Sequence, residues 1–248
     1  MYPLYASKET VTVVVDILRA TSAICTAFEH GIARVIPVPE VEDTYFYKDH
    51  DDVIVAAERS GEVVEGFRYG NSPFSYMNEG VKGKTLVITT TNGTQAIEAA
   101  KDSQVILVGA FVNFGALTDM LRAIDRDVMV LCAGWKNRFN LEDTLFAGAV
   151  TENLLDAGFS YATDSDAALA SLSLYRAAKD DLHGFLANSS HRNRLERLNL
   201  EEDVKYCMSF NKTGSVPFLK DDALIDASRH GGIDLIRASL SENKVANP

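Results

Sequence analysis

The feature that most constrains this chain is its alternation of short β-branched apolar runs with helical patterns. Six runs, Val11–Val15, Arg34–Val38, Val53–Ala57, Thr85–Thr90, Gln104–Val108 and Val128–Cys132, precede Leu155. Runs this continuous suit strands covered on both faces, because a strand with one wet face alternates apolar and polar residues. Helical patterns follow at Ser22–Glu29, Gly93–Ala100, Ala116–Ile124 and Leu141–Leu155. The last has a start signal, with Asn140 as N-cap and Glu142 and Asp143 in a first turn where the helix dipole favours carboxylates. Only Gly61–Lys84 breaks the beat; its glycines and Pro73 read as a long functional loop. After Gly158 helices dominate, over Asp164–Lys179 and Asp180–Asn188 and then a segment from His191 to Leu200, with Val204–Met208 as a late strand. The expected fold is one α/β domain over 1–248. It is a three-layer α/β/α sandwich with a mostly parallel sheet in 1–158 and a mainly helical part, 159–248, packed on it.

Composition narrows the function. The 248 residues are 46% apolar, which excludes a disordered chain. Lys plus Arg number 24 against 35 Asp plus Glu, a net charge of −11 with no basic run, so nucleic acid is not an expected partner. No basic-then-apolar start marks a signal peptide, and no window reaches the roughly 18 apolar residues that span a bilayer. Three widely spaced cysteines, Cys25, Cys132 and Cys207, do not form a disulfide framework and point to the cytoplasm. A symmetric homodimer is the default expectation for such a chain.

Familiar phosphate signatures fail on inspection. Asn78-Glu-Gly-Val-Lys-Gly-Lys-Thr85 lacks the first glycine of a P-loop and precedes a strand instead of following one. Asp164-Ser-Asp166 has no strand before it, and Arg229-His-Gly231 follows a helical stretch. The strand ends are more orderly. Asp16 closes the first run and leads into Leu18-Arg-Ala-Thr-Ser22; Glu58 and Arg59 close the third; Thr89-Thr-Thr-Asn-Gly-Thr94 closes the fourth. Asn113 lies past the fifth, and Cys132-Ala-Gly134 closes the sixth. Ligands of open α/β sheets bind beyond the carboxyl ends of the strands, where these residues gather.

Each group has a bland and a functional reading. The Thr91-Asn92-Gly93-Thr94 turn is either an ordinary Asn-Gly turn or an anion cradle of backbone N–H groups at a helix start. Beside Arg19 and the loop carrying Asn71 and Ser72, the cradle is favoured. Asp16 is a cap or a metal ligand, with the ligand favoured. Glu58 follows Val-Ile-Val-Ala-Ala and needs a partner, which Arg59 or a metal would supply. Glu142 and Asp143 suit either a helix start or a metal. Together these oxygens suit Mg²⁺, which takes a few carboxylates plus water and phosphate oxygens. The histidines are scattered, with no zinc spacing, and most are expected at the surface. Cys132 to Arg138 fits the Cys-x5-Arg layout of thiolate phosphatases, although a free Cys after a strand is more often a buried small residue.

Val14-Val-Asp-Ile-Leu-Arg-Ala-Thr-Ser22, Gly70-Asn-Ser-Pro73, Thr89-Thr-Thr-Asn-Gly-Thr94, Cys132-Ala-Gly134 and Leu141-Glu-Asp143 resemble the 2-phosphosulfolactate phosphatase family. Asn188-Ser189 and Val216-Pro217 match its later signature, so the resemblance runs in order along nearly the whole chain. It implies a Mg²⁺-dependent phosphatase that converts 2-phospho-3-sulfolactate, a small anionic phosphoester, to sulfolactate on the way to coenzyme M. It also implies a distinctive three-layer α/β fold. Arg68 stands where the family often has Asp, so no metal role is carried to it. The family usually places another strand before Val11, and the short start predicts a weakened sheet edge.

The expected mechanism follows from both readings. Asp16, Glu58 and one of Glu142 or Asp143 hold Mg²⁺, while Arg19 and Thr91–Thr94 stabilise the phosphoryl group. Asn71, Ser72 and Arg59 serve the remaining anions. The alternatives are another phosphorylated 2-hydroxy acid as substrate, a Cys132 thiolate nucleophile, or a non-catalytic anion binder.

Overall fold

The apolar runs are strands in a computed structural model of the chain, which describes residues 10–135, 138–156 and 161–242. The elements in order are β1 (Val11–Val15), α1 (Ala20–Glu29), β2 (Arg34–Pro37), α2 (Val41–Thr44), β3 (Val53–Arg59), β4 (Glu62–Val63), β5 (Thr85–Thr89), α3 (Gly93–Ala99), β6 (Val105–Gly109) and α4 (Phe114–Ile124). They continue with β7 (Val128–Cys132), α5 (Leu141–Asp156), α6 (Asp166–Ala178), α7 (Leu182–Phe185), α8 (Ser190–Arg197), α9 (Glu201–Cys207), β8 (Pro217–Lys220), β9 (Ala223–Asp226) and α10 (Gly232–Glu242). The boundary expected at 158/159 and residues 1–9 lie outside the described residues.

The strands form one sheet in the order β4-β3-β5-β2-β9-β8-β6-β1-β7. Its two parallel blocks, β3-β5-β2 and β6-β1-β7, are not hydrogen-bonded to each other directly. The β8–β9 hairpin lies between them, antiparallel to both through Val35↔Leu224 and Leu107↔Phe218. The sheet is therefore mixed, not mostly parallel, and the C-terminal part supplies its centre as well as helices. The hairpin turns at Asp221–Asp222, with Asp221 in the left-handed region at φ 55°. Val204–Met208 is not a strand: it falls in and after α9, whose first turn carries Glu201, Glu202 and Asp203, favourable to a helix start.

Helix α1 explains how the sheet closes. Every residue from Ala20 to Phe28 is buried, the mark of a helix enclosed on all sides. Ala20, Ala23 and Ala27 let neighbours approach. The hydroxyls of Thr21, Ser22 and Thr26 donate to the carbonyls of Asp16, Ile17 and Ser22 at 2.9, 2.9 and 2.7 Å, which removes the cost of burying them. Four strands separate β5 from β1 along the sheet, so a flat sheet would hold them about 24 Å apart at about 4.8 Å per strand. Instead, a Cβ added at Gly93, just beyond β5, would lie 2.7 Å from Cβ of Ala20, just beyond β1. The sheet coils around α1 and brings the exits of its two blocks together.

Asn113 belongs to this framework and not to the ligand-facing set. It is fully buried, accepts a bond from the Ala110 N–H at 2.9 Å, and donates to the Val108 and Ser215 carbonyls at 3.2 and 3.0 Å. It fastens the end of β6 to the segment leading into β8. Asn113→Ala removes three buried side-chain-to-backbone hydrogen bonds and is expected to lower stability by about 1–3 kcal/mol in denaturant unfolding. An unchanged midpoint would contradict that role.

Candidate active site

The exit of β1 and the start of α5 are tied by one side chain. Asp143 accepts the Ile17 N–H at 2.9 Å on Oδ1, and the Gly134 N–H at 3.1 Å and Asn140 Nδ2 at 2.9 Å on Oδ2. Gly134 takes φ +65°, and a Cβ there would run into the Arg138 carbonyl, so this tight turn requires glycine. The Asn140 amide donates to Glu142 and Asp143 instead of accepting from the helix N–H groups as an N-cap would. Glu142 Oε1 receives Asn140 Nδ2 at 3.1 Å and Nδ1 of His191 at 2.5 Å, while its buried Oε2 has no partner. From the other block, Glu58 accepts the Gly61 N–H, the Thr91 N–H at 3.2 Å, the Thr91 hydroxyl at 3.3 Å and Asn71 Nδ2 at 3.4 Å. Asp16 accepts the Ala20 N–H and lies against Gly93, where a Cβ would be 3.0 Å from its Oδ2.

These carboxylates lie in one another's field. Glu142 and Asp143 are fully buried, and Asp16 and Glu58 nearly so. Burial, then the charges of Asp143, Glu58 and Glu142, push Asp16 well above the usual carboxylate range. Burial and the Glu142 charge bring Asp143 to about 7, against the hydrogen bonds it accepts. Burial, followed by the charges of Asp143 and Glu142, also pushes the Cys132 thiol up. Arg138, the arginine of the Cys-x5-Arg pattern, is exposed, and its backbone pairs with that of Trp135 across the turn. Lys136 and Asn137 between them lie outside the described residues.

The expected cations are placed differently. Arg19 is buried with Nη1 2.8 Å from Asp203 Oδ1 and Nη2 2.6 Å from the Gly61 carbonyl. Arg59 bonds the backbone carbonyl of Glu58 and the Thr89 hydroxyl, at 2.8 and 3.1 Å, and does not pair with the Glu58 carboxylate. Successive strand residues point to opposite faces, which separates them. The Thr94 hydroxyl and N–H close onto Thr90, and Thr91 serves Glu58. Asn92 is half-buried at the head of α3, and Ser72 is half-buried ahead of the 3₁₀ turn Pro73–Tyr76. Thus Asp16, Glu58, Glu142 and Asp143 lie within one another's field, with Asn71 and Thr91 bonded to Glu58 and Gly93 against Asp16, whereas Arg59 and Asn113 are turned to other partners.

Four contributors escaped sequence reasoning: Asn140 as a carboxylate donor, and His191, Arg194 and Asp203 from the C-terminal helices. His191 is buried, the exception among five histidines of which the other four are exposed or half-buried. It shares a face of α8 with Arg194, three residues on. The available signal was Ser189, whose hydroxyl caps α8 by accepting the Arg192 N–H at 3.4 Å.

A family model described as 2-phosphosulpholactate phosphatase matches residues 2–222. The chain belongs to that family. Its enzyme class is accordingly that of a phosphatase, a phosphoric monoester hydrolase. The relative named "Probable 2-phosphosulfolactate phosphatase" from Caldanaerobacter subterraneus subsp. tengcongensis is 37% identical over 217 residues, covering 86% of this chain and 89% of the relative. Proteins of the same name from Thermotoga petrophila and Clostridium novyi are 38% and 39% identical over 215 residues. These alignments cover 86% and 85% of this chain, and 90% and 89% of the relatives. Among the described residues no helix is long and apolar enough to cross a membrane, and no three His, Cys, Asp or Glu side chains converge closely enough to enclose a metal ion.

Repulsion within the cluster has a sign that can be measured. For Asp143 the folded value lies above the ordinary carboxylate value of 3.8. Between the two, the folded protein keeps a proton that the unfolded chain has lost, so this group's contribution to stability falls as pH rises from about 4 to about 7. Glu142→Gln removes one charge responsible while keeping the acceptor for His191. In EDTA, melting temperature is expected to decline less steeply over this window in Glu142→Gln than in wild type; parallel curves would contradict the assignment.

Proposed function

We propose that the protein hydrolyses the phosphate ester of 2-phospho-3-sulfolactate to 3-sulfolactate and phosphate, with Mg²⁺ held by Asp16, Glu58 and one of Glu142 or Asp143. The observation that carries the metal is Glu142 Oε2, a buried carboxylate oxygen without a partner amid three further buried carboxylates. Such a set is costly without a cation. Among the described residues no three such side chains form a closed set, so on this reading water and substrate oxygens complete the Mg²⁺ shell. The substrate reading rests on the family and on the names of its members. The coenzyme M-type pathway belongs to the same reading, as does a cytoplasmic site, which the free cysteines support.

The chain's own residues prepare the site. His191 and Asn140 hold Glu142 by Oε1 and leave Oε2 open. The Ile17 and Gly134 amides fix Asp143, and the Gly61 and Thr91 amides fix Glu58, so the carboxylates are oriented before a ligand arrives. Asn71 places an unpartnered, buried Oδ1 beside Glu58, an acceptor for a substrate or water hydrogen. Bound Mg²⁺ would neutralise charge on the phosphoryl oxygens and orient the attacking water. Cys132 has a packing role here, since its surroundings disfavour the thiolate.

Phosphate release from 2-phospho-3-sulfolactate is expected with Mg²⁺ and not in EDTA. Asp16→Asn should remain folded and lose about 10²–10³-fold in turnover, whereas Cys132→Ser should stay within a few-fold of wild type. Activity that survives EDTA but vanishes in Cys132→Ser would replace this mechanism with the thiolate one. Saturable sulfolactate binding with no phosphate release from any ester would identify a binder.

A further inference from the structure

We propose that Arg194 is the cation that holds the transferring phosphoryl group, with the Trp135 ring fixing its guanidinium plane. The inference rests on the phosphatase reading above and supplies the residue that reading lacks. Arg19 and Arg59, the cations nearest the strand ends in sequence, already bond Asp203, the Gly61 carbonyl, the Glu58 carbonyl and the Thr89 hydroxyl. A metal site built from carboxylates also needs a positive group on the far side of the phosphoryl oxygens, because positioning and charge neutralisation dominate phosphoryl transfer.

Arg194 meets this need from an element outside the sheet. It lies one helical turn beyond His191 on α8, and His191 reaches Glu142 directly, so the face they share is turned to the carboxylates. Its guanidinium carbon is 4.6 Å from the Trp135 ring centroid, a cation–π contact that orients the plane. Its Nε is buried without a hydrogen-bond partner. The negative charges of Glu58, Glu142 and Asp16 reach it, as does the positive charge of Arg19, which is itself held by Asp203. A buried donor of fixed plane, facing carboxylates without bonding them, is suited to a tetrahedral oxyanion that enters between, through the paired N–H geometry of arginine. Lysine would keep the charge and lose that geometry.

Trp135 is the sole tryptophan of the chain, so its fluorescence reports on this contact without requiring turnover. Inorganic phosphate titrated into the Mg²⁺-loaded protein is expected to give a saturable change in tryptophan emission. The change should vanish in Arg194→Ala and need at least tenfold more phosphate in Arg194→Lys. In parallel, kcat/KM should fall about 100-fold in Arg194→Ala for 2-phospho-3-sulfolactate and equally for 2-phospholactate, which lacks the sulfonate. Where the alanine variant unfolds, as judged by circular dichroism, the lysine variant carries the test. No emission change in wild type, an undiminished titration in the folded variants, or a loss confined to the sulfonate-bearing substrate would overturn the assignment. Wild-type protein that answers phosphate through Trp135 but releases none from any ester would defeat the phosphatase reading and leave Arg194 standing as an oxyanion ligand.

Discussion

Enclosure of α1 is the constraint on which the rest of the structure depends. A helix buried on every face cannot carry long or charged side chains, and from Ala20 to Phe28 it has small, apolar or self-satisfied residues. Around it the nine-stranded sheet has to coil, and coiling makes neighbours of strands that are far apart in hydrogen-bonding order. Asp16 and Glu58 belong to different parallel blocks, yet each feels the other's charge. Gly93 against Ala20 is the contact where the blocks meet, and no larger residue fits there without displacing Asp16.

Acidity has a different meaning once the residues are placed. The net charge of −11 is counted over the whole chain, but six of its carboxylates are buried, and Asp16, Glu58, Glu142 and Asp143 are the four that face one another. Their burial opposes stability and is offset only partly by amides from Ile17, Ala20, Gly61, Thr91 and Gly134. Rigid, desolvated and incompletely paired oxygens suit a bound cation, so under the Mg²⁺ mechanism proposed above local stability and function conflict at these strand ends. Stability is made up elsewhere, in an apolar core that runs from Val11 to Leu240.

Long, β-branched runs reported themselves well from sequence: all six became strands within a residue or two, and Asp16 at a strand end lies within the field of Glu58, Glu142 and Asp143. The β8–β9 hairpin did not, since four-residue strands beside Pro217 and the polar Lys220–Asp222 turn carry too little periodicity. Val204–Met208 looked like a strand by residue type, whereas acidic residues just ahead of it set a helix. Arg59 was misplaced because adjacency in a strand is opposition in space. His191, Arg194 and Asp203 were unreadable for another reason: they reach the site only through tertiary packing of the C-terminal helices, across separations such as the 184 residues between Arg19 and Asp203.

The central hairpin also sets an order of events during synthesis. Both parallel blocks are complete by Cys132, but the strands that join them begin at Pro217. Until then β2 and β6 are open edges, each a ready template for pairing with another chain. A nascent chain therefore emerges as two incomplete sheets around an unsealed helix, and its last eighth, from Pro217 on, joins them into one nine-stranded sheet. Pausing, truncation or slow chain release at the 3′ coding end would prolong exposure of those edges, whereas the same delay after the hairpin has formed would not.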